Sequence, residues 1–271
     1  MPDPITYSRH ILRILISAVL SLVLSSCEKT LHLPYDHIPP LTVIEASLTD
    51  TGASVAIRLS TPMDEPLDLT LLTDAQVTLS DLTLSSSPIC LSPDSEGYFT
   101  SAIPGEVGHL YQLDVIRDGA TYSSQAVMQP PVTIEGLEFS WINMPYDQVA
   151  LLQVAFADVD PLSPGNCYWV RLYRNGEAYM WNTVKDDTAI DGTVYEVFFT
   201  TRRDTDEEDD DTVLFDGDVI TATVVSISRD MYDYLQALAA DSSGPAMFTG
   251  PRALGYFLPA TPSSSAITFH P

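Results

Sequence analysis

Positive charge is scarce in this chain. Twelve lysines and arginines stand against 37 acidic residues, giving a net charge of −25 and a pI near 4.1. That balance excludes nucleic acid as a partner, because phosphates would be repelled, and it excludes electrostatic adsorption on anionic lipid. Cysteine is scarce too, with three in 271 residues. Neither Cys90 nor Cys167 has a histidine or second cysteine nearby, so no zinc-type ligand spacing exists. Either the two pair across 77 residues or, the reading preferred here, both are buried free thiols. There is no G-x-S-x-G, no Walker loop, no G-x-G-x-x-G and no H-E-x-x-H. His32 and His37 lie in a proline-rich stretch, His109 in a turn and His270 next to last, so no histidine sits among strands beside a nucleophile. No apolar run reaches the roughly 20 residues that a membrane-spanning helix needs.

What the N-terminal region does contain falls in a recognisable order. Arg9, His10 and Arg13 precede an uncharged run from Ile14 to Leu24, and Leu24-Ser25-Ser26-Cys27 follows. The run has the length of a signal-peptide core rather than of a span. The last four residues resemble the bacterial lipobox, whose cysteine thiol is acylated and becomes the new N-terminus. The plainer alternative is a secretory signal with an incidental cysteine. On the lipobox reading residues 1–26 are a signal peptide, Cys27 is the lipid attachment site and residues 27–40 are a lipidated tether with three prolines. Each buried acyl CH₂ contributes about 0.8 kcal/mol, so two or three chains hold a protein at a bilayer without a helix. Glu28-Lys29-Thr30 does not choose between the surface and the periplasmic face of the outer membrane.

Cleavage after Ser26 leaves 271 − 26 = 245 residues at 45% hydrophobic content overall, ample for packed cores. Strand patterns then repeat. "LTVIEASLT", "ASVAIRLS" and "AQVTLSDL" alternate apolar and polar residues. "HLYQLDVIRDGATYSSQAVM" folds back at Arg117-Asp118-Gly119-Ala120. Pro130-Pro131 interrupts the ladder, and strands resume in "QVALLQVAFADVD" and "CYWVRLYRNGEAYMWNTV", the latter turning at Asn175-Gly176. The expected architecture is mainly β. An antiparallel immunoglobulin-like sandwich covers residues 41–129, and a loosely fibronectin type III-like one covers residues 130–271. Ala253 to Pro259, alternating Leu254, Tyr256 and Leu258, is expected in the second sheet.

One segment changes period. Met231, Tyr234, Leu235 and Leu238 recur at helical spacing, with Ser228 as N-cap and Asp230 in the first turn. This predicts a helix over 229–240, packed as a lid on the second sandwich with that stripe in its core. Upstream, "RRDTDEEDDD" concentrates six carboxylates between Asp206 and Asp211, with Asp204 before them. A solvated, self-repelling loop is preferred to a Ca²⁺ site, because the EF-hand glycine and glutamate are missing. Tyr168, Trp169, Tyr173, Tyr179 and Trp181 form a candidate ligand-facing aromatic platform. Strand alternation predicts that about half of them are core.

Read together, a lipobox cysteine followed by Glu28, a "GYF" strand before "YQLDV", a "DVDP…YWV" junction, the "ISRDMYDYL" helix and a late "LGYF" strand form an ordered set. In that order they resemble the Bacteroidota lipoproteins classed as domain of unknown function 4249, over about residues 27 to 270. The chain departs from the pattern ahead of the last strand, where "SGPAMFTGPRALGYF" replaces an Asn-rich stretch. Members are typically encoded beside TonB-dependent outer-membrane receptors. The resemblance therefore implies an outer-membrane lipoprotein, non-enzymatic, working as accessory or ligand-binding partner of such an uptake receptor, with no cofactor and no catalytic residue to carry over. Two alternatives stay open at this level: a structural or adhesive cell-surface sandwich protein, and a secreted hydrolase working through paired carboxylates.

Overall fold

The computed structural model describes residues 39–62, 65–145, 147–160, 165–187, 192–202 and 213–271. Cys27, the tether as far as residue 38 and the acidic run from Asp204 to Asp211 lie outside these residues.

The fold is mainly β. Seven strands arise in the first half: β1 (Thr42–Thr49), β2 (Gly52–Leu59), β3 (Gln76–Asp81), β4 (Ile89–Pro93), β5 (Phe99–Ser101), β6 (Leu110–Arg117) and β7 (Ala120–Val127). The second half supplies β8 (Ile134–Met144), β9 (Asp147–Ala157), β10 (Cys167–Arg174), β11 (Glu177–Asp186), β12 (Thr193–Arg202) and β13 (Val219–Ile227). Helix α1 (Arg229–Ala239), β14 (Ala253–Pro259) and β15 (Ser263–Thr268) complete it. The two clearest turn signals form as the sequence dictates. Asp118 and Gly119 have φ of 51° and 76°, and Asn175 and Gly176 have 50° and 94°. Positive φ at both central residues is the turn that matches strand twist, and asparagine, aspartate and glycine tolerate it best.

The first sheet runs β14-β1-β2-β5-β4-β3-β6-β7. Its last member in chain order is its first in space. β14 pairs with β1 in parallel, from Thr42 opposite Ala253 to Leu48 opposite Pro259. This corrects the expectation that Ala253 to Pro259 belongs to the second sheet. Alternation identifies a strand, but it carries no information about which neighbour the strand will find. Isolated bridges from Ser123 to Thr249 and from Gln129 to Ala260 bring β7 back beside β14. The strands thus curl around one core of Ile44, Leu48, Ile57, Leu79, Phe99, Leu113, Val115 and Met128.

The second unit is a sandwich of two sheets, β11-β10-β13-β15 and β12-β9-β8. Leu152, Val154, Phe156, Tyr168, Val170, Val194, Phe198, Ile220, Val224 and Phe269 fill the space between them. A third apolar cluster lies on the other face of β10 and β13. Cys167, Trp169, Val225 and Ile227 meet Met231 and Leu235 of α1 there, together with Leu258 and Ala260 at the end of β14. The strand that completes the first sheet therefore also carries the residues that seal α1 against the second.

Helix α1 starts where its cap predicts: the Ser228 hydroxyl accepts from the Met231 N–H at 3.2 Å. Met231 and Leu235 are buried. Leu238 is 62% exposed, contrary to the expected stripe, because the last turn of α1 reaches past the sheet and overhangs a cleft. The thiols differ as well. Cys167 is buried and Cys90 exposed, both free, which corrects the expectation of two buried thiols. On β4, Leu91 takes the inward position and alternation turns Cys90 out. Burial pushes the Cys167 thiol up to about 11, with the nearby Arg229 opposing the shift, so it stays protonated and inert.

Candidate functional site

Strand β10 places its residues alternately on two faces, and the aromatic candidates divide accordingly. Tyr168 is fully buried in the sandwich core; its hydroxyl donates to Asp158 Oδ1 at 2.7 Å and accepts from the Val159 N–H. Burial, with the Asp158 carboxylate as acceptor, pushes its phenol well above the ordinary range. Tyr179 is likewise a core residue. Neither faces a ligand, which corrects those two assignments. The side chain of Trp181 lies outside the described residues. Trp169 and Tyr173, two and six positions along from Cys167 on the face opposite to Tyr168, line a cleft of about 1060 Å³.

Between them stands Arg171, a residue the sequence reading passed over. The cleft that receives it is bounded by β10 and β11, by the last turns of α1 (Leu235, Gln236, Leu238, Ala239) and its C-cap Ala240, by Tyr256 of β14 and by Glu45 of β1. The β10–β11 ladder shifts register between Val170 and Leu172, the extra residues lying on β11, while Arg171 stays paired with Thr223 on the β13 side. The Arg171 guanidinium carbon sits 4.4 Å from the centre of the Trp169 ring, a cation–π contact worth about 0.5–2 kcal/mol. Beneath it an aromatic cluster continues. Tyr256 meets Trp169 edge-on at 5.9 Å, and Tyr234 meets Tyr256 at 6.5 Å. The Tyr234 hydroxyl accepts from the Gly255 N–H, tying α1 to β14.

Arg171 is electrically unusual here. The other half-buried cations among the described residues each have a carboxylate: Arg58 with Glu45, Arg117 with Asp74, Arg174 with Asp218 and Lys185 with Glu196. Arg171 has none, and its buried Nε lacks a hydrogen-bond partner among the described residues. The same holds for Thr183 Oγ1 on the opposite wall. An unpaired buried donor costs about 1–3 kcal/mol, so two of them in one cleft call for an explanation. Burial, reinforced by the nearby Glu45, pushes the Tyr256 phenol up to about 12, which keeps it a neutral hydroxyl.

Glu45 and Tyr256 also line a second cleft of about 580 Å³, over the outer face of β1 and β2. Arg58, Leu69, Leu71, Glu96 and Tyr98 complete it. The two clefts share Glu45 and Tyr256 as a common wall and are together called the groove. Glu45 faces both clefts, Arg171 without an ion pair among the described residues faces the larger one, and Arg58 with Glu96 faces the smaller. Among the described residues no group of His, Cys, Asp and Glu is arranged to hold a metal ion, and no helix is long and apolar enough to cross a membrane.

Sequence alone could have pointed to Arg171. In "YWVRLYR" a charged residue interrupts an otherwise apolar strand on the same face as Trp169 and Tyr173. Thr183, Gln236, Glu45 and Tyr256 reach the groove only through tertiary pairing and carry no local signal.

Comparison with known structures finds sandwich proteins at very low similarity. A cytokine receptor complex is 10% identical with a TM-score of 0.28, covering 83% of this chain and 94% of that one. A two-domain fibronectin type III segment of chicken tenascin is 12% identical at 0.25, covering 85% and 100%. A DUF3823 family protein of Parabacteroides merdae is 11% identical at 0.22, covering 69% and 92%. Among curated proteins no match was found. The family model described as "Domain of unknown function (DUF4249)" matches residues 28–261. That span takes in β1 to β14, helix α1 and every described residue of the groove, and the chain belongs to this family.

Proposed function

We propose that this chain is a non-enzymatic binding protein of the cell envelope, held to the outer membrane through lipid on Cys27 and working beside a TonB-dependent uptake receptor. The observation that carries the binding part is the groove at the junction of the two sheets, with its unpaired arginine. Concave sites lined by apolar surface and a few converging polar groups are where proteins hold small ligands. The envelope location follows from the order of charge, apolar run and small residues before Cys27. The receptor partnership follows from the family resemblance. The hydrolase alternative fits the groove poorly. An acid catalyst needs a carboxyl shielded from water with no cation beside it, whereas Glu45 has Arg58 at 2.7 Å and Glu96 stands exposed.

Two measurements test this reading. Cys27→Ala should abolish metabolic labelling by a palmitate analogue, and equal labelling of both forms would remove the lipid anchor. Affinity-tagged chain, crosslinked in intact envelopes and extracted in mild detergent, should bring down an outer-membrane β-barrel receptor in comparable amount. Recovery of the chain alone would contradict the partnership.

A further inference from the structure

We propose that the groove binds a short apolar peptide by its free C-terminal carboxylate, with Arg171 as the residue that reads the carboxylate. The proposal rests on the binding reading above and names its ligand class.

Charge selects the carboxylate. Arg171 is half-buried, stacked on Trp169 and free of any carboxylate among the described residues. A guanidinium already fixed over an indole has lost most of its rotamer freedom, so little more is lost when an anion docks on its fork. Thr183 and Tyr256 line the same cleft. The lining then selects the body of the ligand. Leu235, Leu238 and Ala239 of α1 present aliphatic surface, and Leu238 is 62% exposed without a ligand. A bare inorganic anion would leave that surface wet; a carboxylate carried on an apolar side chain covers it.

Electrostatics at long range favours a ligand with no net charge. The chain carries −25, so polyanions such as acidic polysaccharides are repelled before they reach Arg171. A zwitterionic peptide is not. In the adjoining smaller cleft the exposed Glu96 is the carboxylate suited to the peptide amine, Glu45 there being paired with Arg58, and Leu69, Leu71 and Tyr98 continue the apolar floor. C-terminal carboxylate capture combined with side-chain pockets is an established way of reading peptide ends.

The test is titration calorimetry on the full folded chain with the tripeptide Ala-Leu-Phe as free acid, as C-terminal amide and as N-acetylated acid. The free acid should bind, and the amide about 10- to 100-fold more weakly, the range expected for a lost charge-assisted contact. Arg171→Met should erase the acid-over-amide preference, while Arg171→Lys should keep part of it. Equal binding of acid and amide to the wild type overturns the proposal without reference to any variant. So does absence of peptide binding at millimolar concentration. Octanoate or glucuronate binding in an Arg171-dependent way, with the peptide silent, overturns it in favour of another carboxylate. None of these failures affects the receptor recovery described above, which is scored with no added ligand.

Discussion

The two halves of this protein solve the problem of their sheet edges differently. The first recruits β14 from far along the chain, sets it parallel to β1 and brings β7 back beside it, so its strands close on one core. The second remains a sandwich whose outer strands, β11 and β12, have a single partner each. The exposed Tyr195, Val197 and Phe199 lie on β12. Closure removes edges, and a sandwich leaves them. The lesson lies at the joint. Because β14 belongs to the closed sheet while Leu258 and Ala260 at its end seal α1 against the open one, neither half is complete without the C-terminal segment.

The largest effect should come from cutting that segment off. Removing residues 250–271 deletes β14 and β15 and uncovers the inner residues of β1. Hydrogen exchange should show β1 and β2 losing protection along with β13. Protection retained in β1 would restore the simpler picture of a first sandwich that stands alone.

A single methyl group should come next. Gly255 has φ of +100°, and a Cβ there would meet the Ile44 carbonyl oxygen at 2.0 Å. Gly255→Ala must therefore shift backbone as well as adopt a strained conformation, costing about 3 kcal/mol or more. That corresponds to a fall in melting temperature of roughly 6–12 °C for a chain of this size. The corresponding alanine at Gly176, where nothing stands within 4 Å of the Cβ, should cost much less, about 1 kcal/mol.

These expectations mark where the sequence was readable and where it was not. The strand hairpins at Asp118-Gly119 and Asn175-Gly176 and the Ser228 cap were legible because their causes are local. Pairing of Val43 with Leu254 was illegible, since no local rule links residues so far apart. The aromatic platform was half legible for the same reason. Period-2 alternation separates Tyr168 from Trp169, but the tertiary contacts that make Trp169 a bed for Arg171 come from α1 and β14. Arg171 itself hid in plain view as a charge inside an apolar strand.

Acid should unsettle both halves through one carboxylate each. Burial works against ionisation of Asp81, but the His109 ring and the Leu84 and Thr83 N–H groups hold its carboxyl below the usual range. Burial likewise opposes ionisation of Asp218, while the Phe215 N–H, Asn175 and Arg174 lower it. A carboxyl lowered on folding stabilises fully above its unfolded value, near 4. That stability is lost as pH falls through the lowered folded value. Melting temperature should thus hold steady from pH 7 to about 5 and fall below pH 4. Asp81→Asn and Asp218→Asn should each flatten part of that fall.

The smallest effect distinguishes two arginines three residues apart. Arg174→Met takes from the buried Asp218 its one cation, met at 2.7 Å, leaving only Asn175 and the Phe215 N–H as donors, and should cost about 1–3 kcal/mol. Arg171→Met strands no carboxylate among the described residues, and loss of the cation–π contact with Trp169 is offset by removal of an unpaired buried Nε, so the melting temperature should stay nearly level. A large loss on Arg171→Met would mean that the residue is structural, and the groove would lose its ligand-reading cation.

The central claim is that α1 and β14 lock the two sheets into one body with the groove at their joint. Guanidinium unfolding of residues 39–271, followed by hydrogen exchange in β1 and in β10 at each concentration, tests it most directly. Coincident transitions in the two strands are the predicted result, and separate midpoints for β1 and β10 would contradict it.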